Sequence, residues 1–141
     1  MKMQQILERV HDIIKATGRN FVATIDYEKA KNIDLKNGFL LTFADGARSR
    51  RSIGSLSIVR TLNITITKEM LSNKKDKLFE AQGKLIEEVR DLILELENDE
   101  TLQNTADRFF YESDTGLTSS LATNANLYLI DIKFIIEIIR S

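Results

Sequence analysis

The chain has no cysteine and no proline, and it has one histidine among its 141 residues. Without cysteine, disulfides, thiolate nucleophiles and cysteine metal sites are all excluded, which fits a reducing compartment. Without proline, helices and strands must end at glycines, at Asx turns or where tertiary contacts stop them. No apolar run approaches the length of a membrane span, and charges within the N-terminal segment predict that no signal peptide is present.

Charge of one sign is also missing. Twenty Lys and Arg residues balance 21 Asp and Glu residues, for a net charge of -1, so the total charge gives no reason to expect a nucleic-acid or membrane partner. Hydrophobic residues make up 43% and charged residues 29%, the balance of a globular domain. The length predicts a single domain, residues 1–141, that buries its own core.

The strongest pattern lies at the end of the chain. Residues 128–140 alternate as a long β-strand, one face of which carries Ile130, Ile132, Phe134, Ile136 and Ile138. The opposite face carries Ile135 and Ile139, so the outer half of the strand is apolar on both sides. A small protein has difficulty covering both faces by itself. We therefore expect assembly with another subunit, with Ile135 and Ile139 as candidate interface residues.

Apolar spacing predicts two helices. The first covers residues 2–16 and ends at Gly18, and the second begins after an N-cap at Asn73 and reaches Glu97. Gly83 lies inside the second helix, where glycine costs about 1 kcal/mol relative to alanine. We interpret Gly83 as a position of close helix packing.

Alternation predicts the strands. A short strand follows at residues 21–25, and a tight turn is expected at Asn37 and Gly38. A long hairpin then pairs residues 39–46 with residues 56–67, and a short strand at residues 109–111 precedes the terminal strand. Residues 27–36 fit neither pattern. The order predicts an α+β fold, with a largely antiparallel (mixed) sheet of four to five strands and two helices packed on one face.

The pattern of polar residues does not indicate an enzyme. His11 lies beside the apolar stripe of the first helix without catalytic partners, which favours a structural role. Glu112 and Asp114 form either a carboxylate pair or an Asx turn, and the turn is favoured because no other catalytic group is identifiable. No metal-binding spacing is present. We expect no catalytic residue, no cofactor and no metal.

Two clusters of opposite charge remain. The predicted hairpin loop contains Arg48, Arg50 and Arg51. These arginines form a solvated tip or contact an acidic surface of a partner. Contact with DNA phosphates is the least favoured alternative. Glu95 and Glu97 make the end of the second helix acidic, which opposes the helix dipole and predicts an exposed or partner-facing end. We expect the arginines of one subunit to meet the acidic segment 95–100 of its neighbour.

Two stretches carry a family resemblance. One is residues 62–67, which run into the second helix. The other is residues 110–120, with aromatic residues, an acidic turn at Asp114, Leu117 after a glycine, and serines ahead of the final strand. With the order of elements, they resemble the tail-terminator proteins of long-tailed bacteriophages, of the lambda type. Residues 121–124 lengthen the last loop, and residues 27–36 have no counterpart.

The resemblance implies a structural virion protein of the tail–neck region, assembled in the host cytoplasm. Members form a hexameric ring that caps the tail tube, ends its polymerisation and offers a docking surface to the head–tail connector protein. The implied partners are further copies of the chain, the tail tube protein and the connector, while DNA only passes through the channel. The alternatives are a neck or head-completion protein of similar fold, or a non-viral α+β protein-binding adaptor.

Overall fold

The structure, a computed structural model, describes residues 2–23, 35–52, 55–70, 74–119 and 127–140. The helices are α1 (Lys2–Lys15), α2 (Lys75–Glu97) and α3 (Glu100–Thr105). The strands are β1 (Asn20–Phe21), β2 (Asn37–Ser52), β3 (Ser55–Glu69), β4 (Arg108–Asp114), β5 (Thr118–Ser119) and β6 (Leu127–Arg140). This arrangement confirms the predicted α+β class.

The sheet is mixed and largely antiparallel, as predicted. Its strands run in the order β1-β2-β3-β6-β4, and the short β5 pairs with β6 beside β4. Only β1 and β2 are parallel among the described pairs. The pairing of β3 with β6 extends without a bulge from Leu56 opposite Arg140 to Glu69 opposite Leu127. The predicted terminal strand therefore lies inside the sheet rather than at its edge.

The main core lies between the helices and one face of this sheet. Even-numbered residues of β3 and β6 point towards the helices because side chains alternate along a strand. The fully buried members of the cluster include Ile64, Ile132, Phe134 and Ile136, all 0% exposed. From the helices, α1 contributes Ile6, Val10, Ile13 and Ile14, α2 contributes Leu85, Val89, Leu92 and Leu96, and α3 contributes Leu102. All three helices thus pack on one face.

A smaller cluster lies on the opposite face of the sheet. Leu40 of β2 and Leu127 of β6 pack there with Val22 and Leu35, which flank a stretch outside the described residues. Leu129 packs against the same cluster. The predicted strand at residues 21–25 is only two residues long, since β1 ends at Phe21, and most of the ambiguous segment 27–36 lies outside the described residues.

The arginines are placed differently from the prediction. Strand β2 includes Arg48, Arg50 and Arg51, which therefore do not lie in a loop. Arg48 pairs with Ile58 of β3, and Arg50 pairs with Leu56. Their side chains lie outside the described residues, as do residues 53 and 54, which join the two strands. Charged residues suit β2 because it lies near the edge of the sheet, where bulges and charge are common.

Two local predictions were also wrong, and one short helix was not predicted. Asn37 and Gly38 begin β2 instead of forming a tight turn. The N-cap of α2 is Lys74 rather than Asn73. Helix α3 was not predicted at all, although Asp99 caps it by accepting a hydrogen bond from the Leu102 backbone N–H at 3.0 Å. No helix in the described part of the chain is long and apolar enough to cross a lipid bilayer.

The glycines separate into two cases. Gly18 has φ +95° and follows α1, which confirms its predicted capping role, because this backbone conformation is unfavourable for other residues. A Cβ at Gly83 would meet no atom of the described residues within 4 Å. The interpretation of Gly83 as a close packing position was therefore wrong.

We predict that Gly83→Ala stabilises the protein by about 0.5–1 kcal/mol, because alanine fits the open position and restricts the unfolded chain. Urea denaturation measures the change in free energy of unfolding. Gly18→Ala is the matched control and should destabilise, because alanine is strained at a positive φ. A destabilised Gly83→Ala variant would show that the glycine is needed where it lies.

Candidate assembly surfaces

The first candidate surface lies on the sheet face that no described helix covers. Ile135 of β6 pairs with Phe110 of β4 on one side and with Thr61 of β3 on the other. Val59 and Ile139 extend the same face towards the end of the sheet, and all five side chains are half-buried. We call these five residues the open sheet face. Its existence follows from alternation, because the neighbours Phe134 and Ile136 fill the core on the other side.

Polar groups lie at one end of this face and within it. Asp131 of β6 accepts a hydrogen bond of 2.6 Å from the Thr65 hydroxyl, and Glu137, 5% exposed, lies between Ile135 and Ile139 in the row that joins Val59 to Arg108. The open sheet face is therefore an apolar strip that contains one buried acid, and surfaces that contact another protein also mix apolar and polar groups. The sequence prediction for Ile135 and Ile139 places both residues on this strip.

The second candidate surface is the connection between α2 and α3, which carries Glu95, Glu97, Asp99 and Glu100. We call these four residues the acidic corner. Asp99 is already paired within its own chain, because the Arg9 guanidinium reaches its carboxylate at 2.7 Å. Glu95 and Glu100 are exposed, and Glu97 is half-buried. Asp99 and Glu100 also begin α3, where negative charge favours the helix dipole, so part of the acid has a local structural role.

Arg9 also sets the protonation of this corner. Its hydrogen bond to Asp99 is the main cause that holds the pKa of that carboxyl below its usual value, and the Leu102 backbone N–H acts in the same direction. Asp99 in turn raises the pKa of Arg9 through the same hydrogen bond. Asp99 is therefore ionised at neutral pH and joins α1 to the start of α3.

The third candidate surface is the turn after β4. Asp114 accepts hydrogen bonds from the Tyr111 hydroxyl and, at 2.7 Å, from the Gly116 backbone N–H. The second bond is an Asx turn, which confirms the preferred interpretation of Asp114. Leu117 packs partly against the main core, so it also fixes the turn to the domain. Glu112 is exposed beyond Tyr111.

Sequence reasoning missed a groove between α1 and the edge of the sheet. The groove has a volume of about 500 Å³, and both apolar and acidic side chains line it. Phe21 and Phe43 are 40% and 41% exposed within it. Its lining residues are Leu7, Glu8, His11, Asp12, Phe21, Leu41 and Phe43. We call these residues the α1–β2 groove.

His11 forms the floor of this groove. Its ring packs edge-on against Phe21, with centroids 5.0 Å apart, and tilts against Phe39 at 5.7 Å. Its Nδ1 lies 3.0 Å from the Asp12 carboxylate. The groove exists because β1 pairs only with Gly38 and Phe39, which leaves the continuation of β2 without a described neighbour on that side.

None of these surfaces has the arrangement of a metal site, because no group of three or more His, Cys, Asp or Glu side chains among the described residues is placed to hold an ion. The features that recur are half-exposed apolar side chains and charged residues at their margins. Such surfaces are suited to contacts between proteins.

We predict that the Arg9–Asp99 pair makes stability depend on pH at acid values. The pKa of Asp99 is lowered in the folded state, so the pair stabilises the fold above about pH 4 and this contribution is lost as the pH falls through the folded pKa. Asp99→Asn keeps the cap of α3 and removes only the charge. Its deficit in urea denaturation should be present at neutral pH and disappear at low pH.

Asp99→Ala is the companion variant, because it removes the cap as well. It should cost about 1 kcal/mol more than Asp99→Asn at every pH. A deficit of Asp99→Asn that does not change with pH would contradict the charge assignment.

We predict a second pH effect at the opposite extreme. The Asp114 hydrogen bond raises the pKa of Tyr111 to about 12, so this bond stabilises the fold below about pH 10 and the stabilisation is lost as the pH rises towards 12. Ultraviolet titration of tyrosinate should show one late-titrating tyrosine. Tyr111→Phe should remove that transition, and Asp114→Asn should move it towards the ordinary value. An unchanged titration in Tyr111→Phe would assign the late tyrosine elsewhere.

Comparison with known proteins adds no family to this geometry: no model of a known protein family matches the sequence, and no curated protein matches it significantly.

Proposed function

We propose that this protein is a structural component of a bacteriophage virion. Copies of the chain assemble into a hexameric ring on the end of the tail tube, where the ring ends polymerisation of the tube protein and provides the docking surface for the head–tail connector. DNA passes through the channel of the ring and is not otherwise a partner. The protein acts in the tail–neck region and catalyses no reaction.

The open sheet face is the single observation that carries the proposal. Ile135 and Ile139 of β6 are half-buried on this face beside Phe110 of β4, whose ring contacts the Arg108 guanidinium, at positions where solvent-facing polar residues would cost nothing. Burying a side chain of this size completely contributes roughly 1.5–3 kcal/mol. Covering this strip with a second protein surface would therefore stabilise the complex substantially. A domain that stays alone does not have this stabilisation.

The distribution of charge supports repeated contacts between copies. The chain carries arginines along β2 and acids at the acidic corner, although its net charge is only -1, and α1 holds Glu8 and Asp12 among three basic residues. Opposite charges at separate places on one surface favour heterologous contacts, in which different patches of two copies meet. Contacts of this type close into rings when the rotation between copies allows it.

The order of elements supports the tail-terminator form of this proposal. A first helix, a long hairpin, a second helix and a closing antiparallel pair appear in the order that the resemblance implies. A neck or head-completion protein would also need surfaces for assembly with other proteins. It would differ from a tail terminator in which part of the tube or connector it contacts. A non-viral adaptor differs more clearly, because it would be a stable monomer or dimer with no affinity for tail tubes.

We predict that the protein caps growing tail tubes through its open sheet face. Electron microscopy of polymerising tube protein should show tubes of controlled length, capped at one end, when the wild-type protein is added. Replacing Ile135 and Ile139 by Thr keeps two β-branched strand formers but adds polarity. The double variant should need about tenfold more protein to cap the same number of tubes, because it loses over 1 kcal/mol of burial.

Ile86→Gln is the matched control, because Ile86 is 53% exposed on α2, away from the open sheet face. It should cap tubes as well as the wild type does. Sedimentation and urea denaturation check that each variant remains folded. Uncapped tubes with folded wild-type protein would refute the tail-terminator function, and a stable monomer without tube affinity would favour the adaptor.

A further inference from the structure

The α1–β2 groove combines two chemical features, exposed aromatic rings and carboxylates. Phe21 and Phe43 present exposed aromatic surface, while Glu8 and Asp12, one helical turn apart on α1, present carboxylates at its margin. An arginine guanidinium suits both features at once. Its flat faces stack on aromatic rings, and its fork of N–H groups binds carboxylates in pairs.

The two carboxylates are available for such a group. Glu8 accepts a hydrogen bond of 3.0 Å from Gln4, and Asp12 contacts His11 at 3.0 Å. Neither forms an ion pair with a lysine or arginine in the described part of the chain. The acidic corner differs in this respect, because Arg9 already occupies Asp99 there.

The chain itself carries the complementary group. Three arginines lie close together in the sequence of β2: Arg48, Arg50 and Arg51. The same segment of sequence also contains the apolar residues Ile53 and Leu56. The backbone of β2 carries these arginines away from the groove of its own chain. Arg50 lies roughly 20 Å along β2 from Phe43, at about 3.3 Å per residue, and its pairing with Leu56 holds the strand extended.

We infer that the α1–β2 groove is an arginine-binding site that receives the end of the β2–β3 hairpin from a second copy of the chain. Arginine side chains of that copy lie against Phe21 and Phe43 and bind the carboxylates of Glu8 and Asp12. This assignment deepens the proposed function and rests on it, because it gives the assembly a head-to-tail contact. It also moves the partner of the arginines from the acidic corner to α1.

The contact is heterologous, since the hairpin end and the groove are different parts of the surface. Each copy offers one hairpin and one groove, so contacts of this kind propagate from copy to copy until a ring closes. A groove of this volume holds only a few side chains and is too small to form a stable interface alone. It therefore sets the register between neighbours, while the open sheet face supplies additional buried area.

Engineered disulfides test the contact directly, because the natural chain has no cysteine. Phe43→Cys protein, which keeps Phe21, Glu8 and Asp12, and tagged Arg51→Cys protein, which keeps Arg48 and Arg50, are mixed and oxidised under conditions in which the wild type assembles. The control mixture replaces Phe43→Cys by Leu94→Cys, which lies beside the acidic corner and is similarly exposed. We expect at least about tenfold more mixed dimer from the groove pair, because a defined contact raises the effective concentration.

A charge exchange gives an independent measurement by sedimentation at low salt. Arg50→Glu with Arg51→Glu should raise the dissociation constant for self-association by about tenfold or more, and so should Glu8→Arg with Asp12→Arg. Combining both charge exchanges in one chain, with all four changes, should return the dissociation constant to within about threefold of the wild-type value. Arg50→Lys with Arg51→Lys keeps the charge and should still weaken association, because lysine does not bind carboxylates in a fork.

Several outcomes overturn the inference. Preferential linking of Arg51→Cys to Leu94→Cys assigns the arginines to the acidic corner, and absence of both mixed dimers, or failure of the charge exchange to restore association, removes the contact. Tube capping separates the two proposals. If tubes are capped but no disulfide forms at the groove, the proposed function stands and the groove contact is rejected. If the disulfide forms but tubes are not capped, the groove contact is supported and the tail function is rejected.

Discussion

The pairing of β3 with β6 is the constraint on which the rest of the structure depends. Because it continues without a bulge over the full length of both strands, it fixes which face every side chain of β6 occupies. Ile132, Phe134 and Ile136 must then face the helices, where they form the core with α1 and α2. The same register necessarily directs Ile135 and Ile139 away from the core, so the core and the open sheet face have one cause.

Much of this arrangement could be predicted from alternation and helical spacing alone. The long β3 and β6, helix α1 and the end of α2 all follow from strong periodic patterns, which buried faces enforce. Helix α3 was missed because its six residues bury one large side chain, Leu102, which is too little for a periodic signal. Asp99 followed by Glu100 was the available signal, since both residues favour the start of a helix. The polar run from Arg48 to Arg51 predicts a loop, whereas pairing with β3 keeps these residues in a strand.

The candidate surfaces divide in the same way. The positions of Ile135 and Ile139 on the open sheet face could be predicted, because a strand that is apolar on both faces can turn only one of them towards the core of the helices. The α1–β2 groove could not be predicted. Phe39 and Phe43 alternate identically in the sequence, yet Phe39 is 0% exposed and Phe43 is 41% exposed. The difference depends on how far α1 extends over the sheet and on how early β1 ends, which are tertiary facts with no local sequence signal.

The edge of the sheet limits how copies can meet. Beyond Phe39, β2 has no described neighbour on its outer side, so it offers backbone groups to which another strand could pair. Two irregularities in its pairing with β3, between Phe43 and Gly46 and between Arg50 and Ser52, interrupt this edge, and the arginines add like charge along it. Both features oppose strand addition between copies. In the proposed assembly, contacts at this edge are therefore made by side chains, and side-chain contacts between opposite charges specify one neighbour and one register, which backbone pairing alone would not.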